Sequence, residues 1–349
     1  LPLITHSLEN NCVTRESRST GSAERTGVRE HVRPSQTHAE EVVANAPGEN
    51  FPVALRLLPA RHRRHLTNLY FFARLTDDLG DEVRGAGGYG GRAAPRERGG
   101  LGGSSPREKE QGGSGGDPPP ETKQLRLGLL DELAADVDRI YAGGTPESPV
   151  MRAMAETVTE CGVPARPLLG LIQANRQDQQ VTRYPTYADL ERYCELSANP
   201  VGQIVLYIFG VATPGRIALS DNICTALQLA EHWQDVAEDL GNGRIYLPGE
   251  DLERFGCTEA DLAAPTAGPA VRQLMRFETD RASRLLDQGA PLVGTLRGSA
   301  RLAVAGYLAG GRAALAAIRR EHYDVLRGTP RGRKPRLAAE LARAYLRGR

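Results

Sequence analysis

The chain has 349 residues, 40% of them hydrophobic, enough to bury one large core or two modest ones. A formal net charge of +1 at pH 7 argues against nucleic-acid binding, which calls for a basic stripe. Five scattered cysteines (Cys12, Cys161, Cys194, Cys224, Cys257) lack metal-ligand spacing and suit a reducing, cytoplasmic setting.

Residues 1–47 are rich in Ser, Thr, Glu, Arg and Asn, with no apolar signal-like run, and read as a disordered tail. Apolar positions at three- and four-residue spacing then begin a helical region at 52–60 and 62–82. Residues 84–123 are Gly, Pro, Ser and charge without a hydrophobic face. They read as a flexible insertion within one domain spanning 48–329, a linker between two domains being the alternative. Helical stretches resume at about 125–141, 148–161, 166–180, 187–195, 197–212, 218–240, 269–287 and 297–323. A helical extension over 330–349 closes the chain. Asn199-Pro200 predicts a kink or break within its helix, and Gly241-Asn242-Gly243 closes the 218–240 helix. No alternating run of useful length is present, so the expected class is all-α. The longest apolar stretch, Ile204 to Ala212, is about half the roughly 20 residues a bilayer span needs.

Two of these helices carry carboxylate ladders. In the first, Tyr70, Arg74, Asp77, Asp78 and Asp81 fall along one face of a 3.6-residue period. Three like charges near a helix C-terminus repel one another and oppose the helix dipole. A solvated acidic face is the ordinary fate of such a cluster, but the neighbours Leu69, Phe71, Phe72 and Leu75 suggest a buried helix. A hard cation such as Mg²⁺ would settle the charge. It takes one or two carboxylates and fills its other positions with water and phosphate oxygens. Arg74 is placed to meet a phosphate in bidentate fashion.

In the second ladder, Gln228, Glu231, Asp235 and Asp239 are spaced i, i+3, i+7 and i+11, with Leu227, Leu229, Ala230, Trp233 and Val236 off the stripe. Two such ladders on separate helices suggest one polar site between them, where Mg²⁺ would hold a diphosphate and help it leave carbon. Arg244 and Tyr246 follow the helix end, where a loop could fold over the site. A plain surface turn is the other reading of that segment.

On these residues the chain resembles the squalene and phytoene synthase family. "YFFARLTDDLGDE" and "ALQLAEHWQDVAEDLGNGRIYLP" are similar to its two aspartate-rich regions, and "GENFPVALRLLP" to its opening helix. The resemblance continues through "RQDQQVTRYPTYADLERYCELSANPVGQIVLYIFG". "SANPVG" and "WQD" look like the bacterial hydroxysqualene synthase branch, associated with hopanoid synthesis. The resemblance implies an isoprenoid-synthase helical bundle with a central cavity between two Asp-rich helices. It implies that Asp77, Asp78, Asp81, Asp235 and Asp239 act on an Mg²⁺-bound isoprenoid diphosphate. Tyr70, Arg74, Gln228 and Gln234 then contact the substrate, as would Arg244 and Tyr246 from the loop. The implied reaction is ionisation of presqualene diphosphate and capture of the cation by water, without NADPH. A head-to-head condensation of two prenyl diphosphates, or a non-catalytic scaffold, are the competing readings.

Two positions depart from the family pattern. Condensing relatives usually carry Asn where this chain has Glu231, and Arg where it has Gln234; Gln234 fits the hydroxysqualene branch, whereas Glu231 departs from the pattern expected there too. Glu231 could add a metal ligand or weaken diphosphate binding, and His232 stands where an aromatic residue is expected. Small residues at Ser197, Ala198 and Gly202 leave open either a ligand approaching the backbone or close helix packing. The expected setting is cytoplasmic, with loose contact at the inner membrane surface and hand-over to other squalene-pathway enzymes, although no amphipathic anchor is evident.

Overall fold

The computed structural model describes residues 58–81, 120–332 and 334–347. The tail 1–47, the start of the opening helix and nearly all of the 84–123 insertion lie outside these residues. Within them the secondary structure is helical, broken only by one isolated parallel bridge between Arg183 and Ile245.

In chain order the helices are α1 Ala60–Asp81, α2 Pro120–Tyr141, α3 Pro149–Cys161, α4 Ala165–Asp178, α5 Tyr187–Ser197, α6 Asn199–Ile208 and α7 Pro214–Gln234. They continue as α8 Val236–Gly241, α9 Gly249–Phe255, α10 Glu259–Leu262, α11 Pro269–Gly289, α12 Leu292–Thr295, α13 Gly298–Arg320 and α14 Lys334–Arg347. Helix α2 begins at Pro120, inside the stretch read as insertion. Proline is at home in a first helical turn, and Glu121 beside it suits the positive end of the helix dipole.

Two cores organise the bundle. In the first, Leu66, Leu69, Phe72, Leu75 and Leu79 of α1 pack against Leu130 and Leu133 of α2, Met151 and Met154 of α3, and Leu168 and Ile172 of α4. In the second, Ile223, Leu229 and Trp233 of α7 meet Leu274 and Leu286 of α11 and Leu308 and Ile318 of α13. Helix α6 packs against both α1 and α7, and Phe209 and Tyr307 touch both cores. The seam between the cores is therefore where a cavity joining the two ladders would run.

The break expected at Asn199-Pro200 is present. Ala198 (φ −113°, ψ −50°) separates α5 from α6, and the Asn199 side chain accepts a hydrogen bond from Thr225 Oγ1 at 3.0 Å. Gly202 is decided in favour of helix packing. A Cβ there would stand 2.4 Å from Cys224 Sγ and 2.5 Å from Ser220 Oγ, so the glycine lets α6 lie against α7. The 330–349 segment is no appendage, because α14 packs along α13 and buries Glu340 and Ala344. Among the described residues no helix is long and apolar enough to cross a membrane.

Candidate active site

Helix α1 carries the first ladder as one uninterrupted element. Phe72, Leu75 and Leu79 anchor its inner face and leave Tyr70, Arg74 and Asp77 half-buried beside the buried Asp78. Arg74 Nε donates to Asp78 Oδ1 at 2.8 Å, one turn along the helix. Asn175 Nδ2 of α4 donates to Asp77 Oδ1 at 3.3 Å, and Gln179 Nε2 donates to the Gly80 carbonyl at 2.8 Å. Gly80 makes this approach feasible, since a Cβ would lie 2.5 Å from Asn175 Oδ1. Asp81 is the last residue of α1.

The second ladder is not the straight stripe its spacing suggests. Helix α7 ends at Gln234, and Asp235 (φ −108°, ψ 16°) forms a break before α8. The bonds Asp235 N→Glu231 O (3.0 Å) and Asp239 N→Asp235 O (2.8 Å) carry the chain across it. Gln228, Glu231, His232 and Gln234 are all buried. Burial pushes Glu231 up to about 7, and the nearby carboxylates of Asp235, Asp239 and Asp77 push the same way. Asp77 belongs to α1, so the two ladders do face one another across the seam.

Three residues expected to contact substrate also make contacts within the protein. Gln228 Nε2 donates to His232 Nε2 at 3.0 Å, leaving His232 Nδ1 directed at Asp239 Oδ2, 3.9 Å away. Burial lowers the His232 pKa, while Asp239 works against that shift. Tyr246 is buried with its ring stacked on His232, 3.6 Å between centroids and 12° between planes. Gln234 Nε2 donates to the Pro330 carbonyl, and Thr329 Oγ1 donates to Asp235 Oδ1 at 2.9 Å. Gln228, Tyr246 and Gln234 thus shape the second ladder from behind. His232, unexplained by spacing, is the link between Gln228, Tyr246 and Asp239.

The loop after α8 is pinned. Ile245 N donates to Thr182 O and Gly249 N to Tyr184 O, both at 2.9 Å, while Arg183 Nη1 donates to Gly243 O at 2.6 Å. Arg244 is half-buried, its backbone N donating to Asp239 O at 2.8 Å. Sequence reasoning missed the end of α4 and the residue after it, which meet the first ladder through Asn175 and Gln179 and reach Tyr246 through Asp178 and Tyr193. Tyr193 Oη donates to Asp178 Oδ2 at 2.8 Å, and Tyr193 in turn stacks toward Tyr246. The signal was present as a run of polar residues, Asn175 to Gln180, ending an otherwise apolar helix.

The donor set suits Mg²⁺. It consists of hard carboxylate oxygens on two elements, the oxygen-donor chemistry that Mg²⁺ takes. Among the described residues no group of three or more His, Cys, Asp or Glu is placed to hold a metal ion by itself. An ion that keeps water and phosphate in its shell does not require one.

Comparison with known proteins bears on this arrangement. A sequence model of the squalene/phytoene synthase family matches residues 44–340. A hydroxysqualene synthase of Rhodopseudomonas palustris is 29% identical over 268 residues, covering 76% of this chain and 75% of that protein. A presqualene diphosphate synthase of the same organism is also 29% identical, over 230 residues, covering 65% of this chain and 68% of its own length. The crystal structure of squalene synthase HpnC from Alicyclobacillus acidocaldarius superposes with a TM-score of 0.66 at 36% identity. That match covers 83% of this chain and 95% of that one.

Proposed function

We propose, on the premise that this chain belongs to the squalene/phytoene synthase family, that it converts presqualene diphosphate and water to hydroxysqualene and diphosphate. Members of this family process isoprenoid diphosphates and generally depend on a divalent metal. The observation that carries the finer reading is the charge of the second ladder. A condensing enzyme must hold two diphosphates at once, whereas presqualene diphosphate brings one. Here an amide, Gln234, stands where condensing relatives usually carry Arg. The Gln234 amide is also turned to the Pro330 carbonyl. A site with one cation fewer suits a single diphosphate.

In this reading Asp77, Asp78, Asp81, Glu231, Asp235 and Asp239 hold Mg²⁺, which when bound supplies charge neutralisation at the diphosphate. Tyr70, Arg74 and Arg244 contact the diphosphate oxygens. Gln228, His232 and Tyr246 orient Asp239, and Gln234 and Thr329 set the backbone and side chain at Asp235. The carbon–oxygen bond to diphosphate breaks with its electron pair leaving on oxygen. The rearranged carbocation takes the oxygen of water, and that water loses a proton. No electrons are gained or lost, so NADPH has no role. Phe209 and Tyr307, on the seam between the cores, would meet the hydrocarbon tail. The working setting is the cytoplasm at the inner membrane surface, with product passed to a later enzyme of the squalene pathway.

The test is to incubate purified protein with Mg²⁺ and either presqualene diphosphate or farnesyl diphosphate, without NADPH, and identify the products. Hydroxysqualene from presqualene diphosphate alone is the expected result. Presqualene diphosphate formed from farnesyl diphosphate would overturn the reading in favour of condensation.

A further inference from the structure

Over the whole chain basic and acidic residues nearly cancel, yet they are unevenly placed. Residues 50–76, 196–220 and 288–320 contain no Asp or Glu. The fold gathers parts of all three at one end of the bundle. His62 of α1 lies 3.4 Å from Ser299 Oγ of α13 and packs edge-on to Phe209 just past α6, 4.8 Å between centroids. Arg216 of α7 donates to Val211 O at 3.0 Å and Thr295 O at 2.7 Å, tying the α6–α7 turn to α12. Arg301 of α13 donates to Tyr345 O and lies 4.7 Å over the Tyr345 ring, which brings the end of α14 to the same place. From His62 to Asp77 helix α1 rises about 22 Å, so this end lies opposite the carboxylate ladders.

The surface here is cationic. Arg61, Arg63 and Arg297 are exposed, and none of them forms an ion pair with a carboxylate among the described residues. At the rim, Glu156 and Glu160 are paired with Arg64, at 3.7 and 2.6 Å. Glu340, the acidic residue of α14, is buried against α13 with Arg336 and Arg343 on it, at 3.1 and 2.8 Å. Helix α14 thereby turns Ala338, Ala339, Ala342 and Leu346 outward beside these two arginines, with Leu346 58% exposed. Val211 and Ala212 of the α6–α7 turn are only half-buried. The sequence shows no amphipathic anchor because the inner face of α14 is marked by a glutamate, and only its packing reveals which side is apolar and free.

We propose that this end of the bundle, formed by the starts of α1 and α13, the α6–α7 turn and the outer face of α14, docks on an anionic phospholipid surface. Charge complementarity selects lipid headgroups, and the exposed leucine and alanines among the arginines favour a bilayer interface over a nucleic acid. Docking would turn the hydrocarbon end of the seam, at Phe209 and Tyr307, toward the bilayer. The argument rests on charge and exposure and is independent of which isoprenoid diphosphate the ladders hold.

The experiment is co-sedimentation of the full chain with vesicles of phosphatidylglycerol and phosphatidylcholine, against vesicles of phosphatidylcholine alone. Binding to the anionic vesicles that weakens with added salt is expected. Arg61→Glu, Arg63→Glu and Arg297→Glu combined should weaken it on the order of a hundredfold, since each basic residue at such a surface contributes about fivefold. Arg192→Glu, Arg254→Glu and Arg276→Glu, the same charge change on other exposed positions, should change it far less. Leu346→Ser, a mild exposed change, should weaken binding severalfold with helicity intact. The proposal is overturned if neutral vesicles bind as well, if the two triple variants lose binding equally, or if double-stranded DNA binds as tightly at the same salt.

Discussion

The two ladders do similar work with different construction. The first stands on a continuous helix whose inner face is a regular row of leucines and Phe72, and its acids find partners close by. Arg74 sits one turn from Asp78, and Asn175 reaches Asp77 from the neighbouring helix. The second is broken at Asp235, buried, and held by groups far away in sequence: Tyr246 against His232, and Thr329 and Pro330 against Asp235 and Gln234. A carboxylate near a guanidinium on its own helix keeps its geometry through local structure. The second ladder depends instead on the tertiary shell, and burial there pushes Glu231 up to about 7.

The sharpest way to break this comparison is to remove one acid from each side. Asp78→Ala and Asp235→Ala should each lower turnover roughly a hundredfold or more. Helicity by circular dichroism should stay unchanged, and full activity in both variants would refute a shared site. Glu231→Gln tests which of its two readings holds. We expect the Mg²⁺ concentration for half-maximal activity to rise severalfold; a lower KM with unchanged Mg²⁺ demand would mean that Glu231 merely opposes the diphosphate.

A third prediction concerns another acid of the second half. Glu278 on α11 is fully buried and shares Arg281 Nη1 with Asp251, at 2.9 and 2.7 Å. Burial pushes Glu278 up to about 8, with Asp251 adding to the rise and Arg281 opposing it. The folded protein therefore keeps a proton that the unfolded chain releases near the ordinary carboxyl pKa of about 4.3. That stabilisation is complete below the unfolded value and is lost as pH rises toward 8. Thermal melts of the parent protein should fall across this window, and Glu278→Gln should flatten the slope. An unchanged slope would remove Glu278 as its cause. The smallest effect is expected from Thr329→Val, which deletes the bond to Asp235 at about 1 kcal/mol, a several-fold loss of activity that Thr329→Ser should restore.

The helical class, the two acid-bearing helices and the break at Asn199-Pro200 were legible in the sequence, because each is a property of local spacing or of proline's missing N–H. The family resemblance rested on the same contiguous stretches, and residues 44–340 match the family. Less was legible where partners are distant. The end of α4 beside the first ladder escaped notice, because Asn175 and Asp178 acquire meaning only when α1 and Tyr193 pack beside them. The contacts of Tyr246 with His232 and of Gln234 with the chain at Pro330 were likewise not legible, because both partners are brought in by packing.

Composition determined that this chain is near neutral; it took the fold to gather parts of its acid-free stretches at one end and the carboxylate ladders at the other. Net charge is a sum that any arrangement of the chain satisfies. A surface, or a pair of facing ladders, is a matter of which helix ends meet, and helix packing decides that through side chains far apart in the sequence.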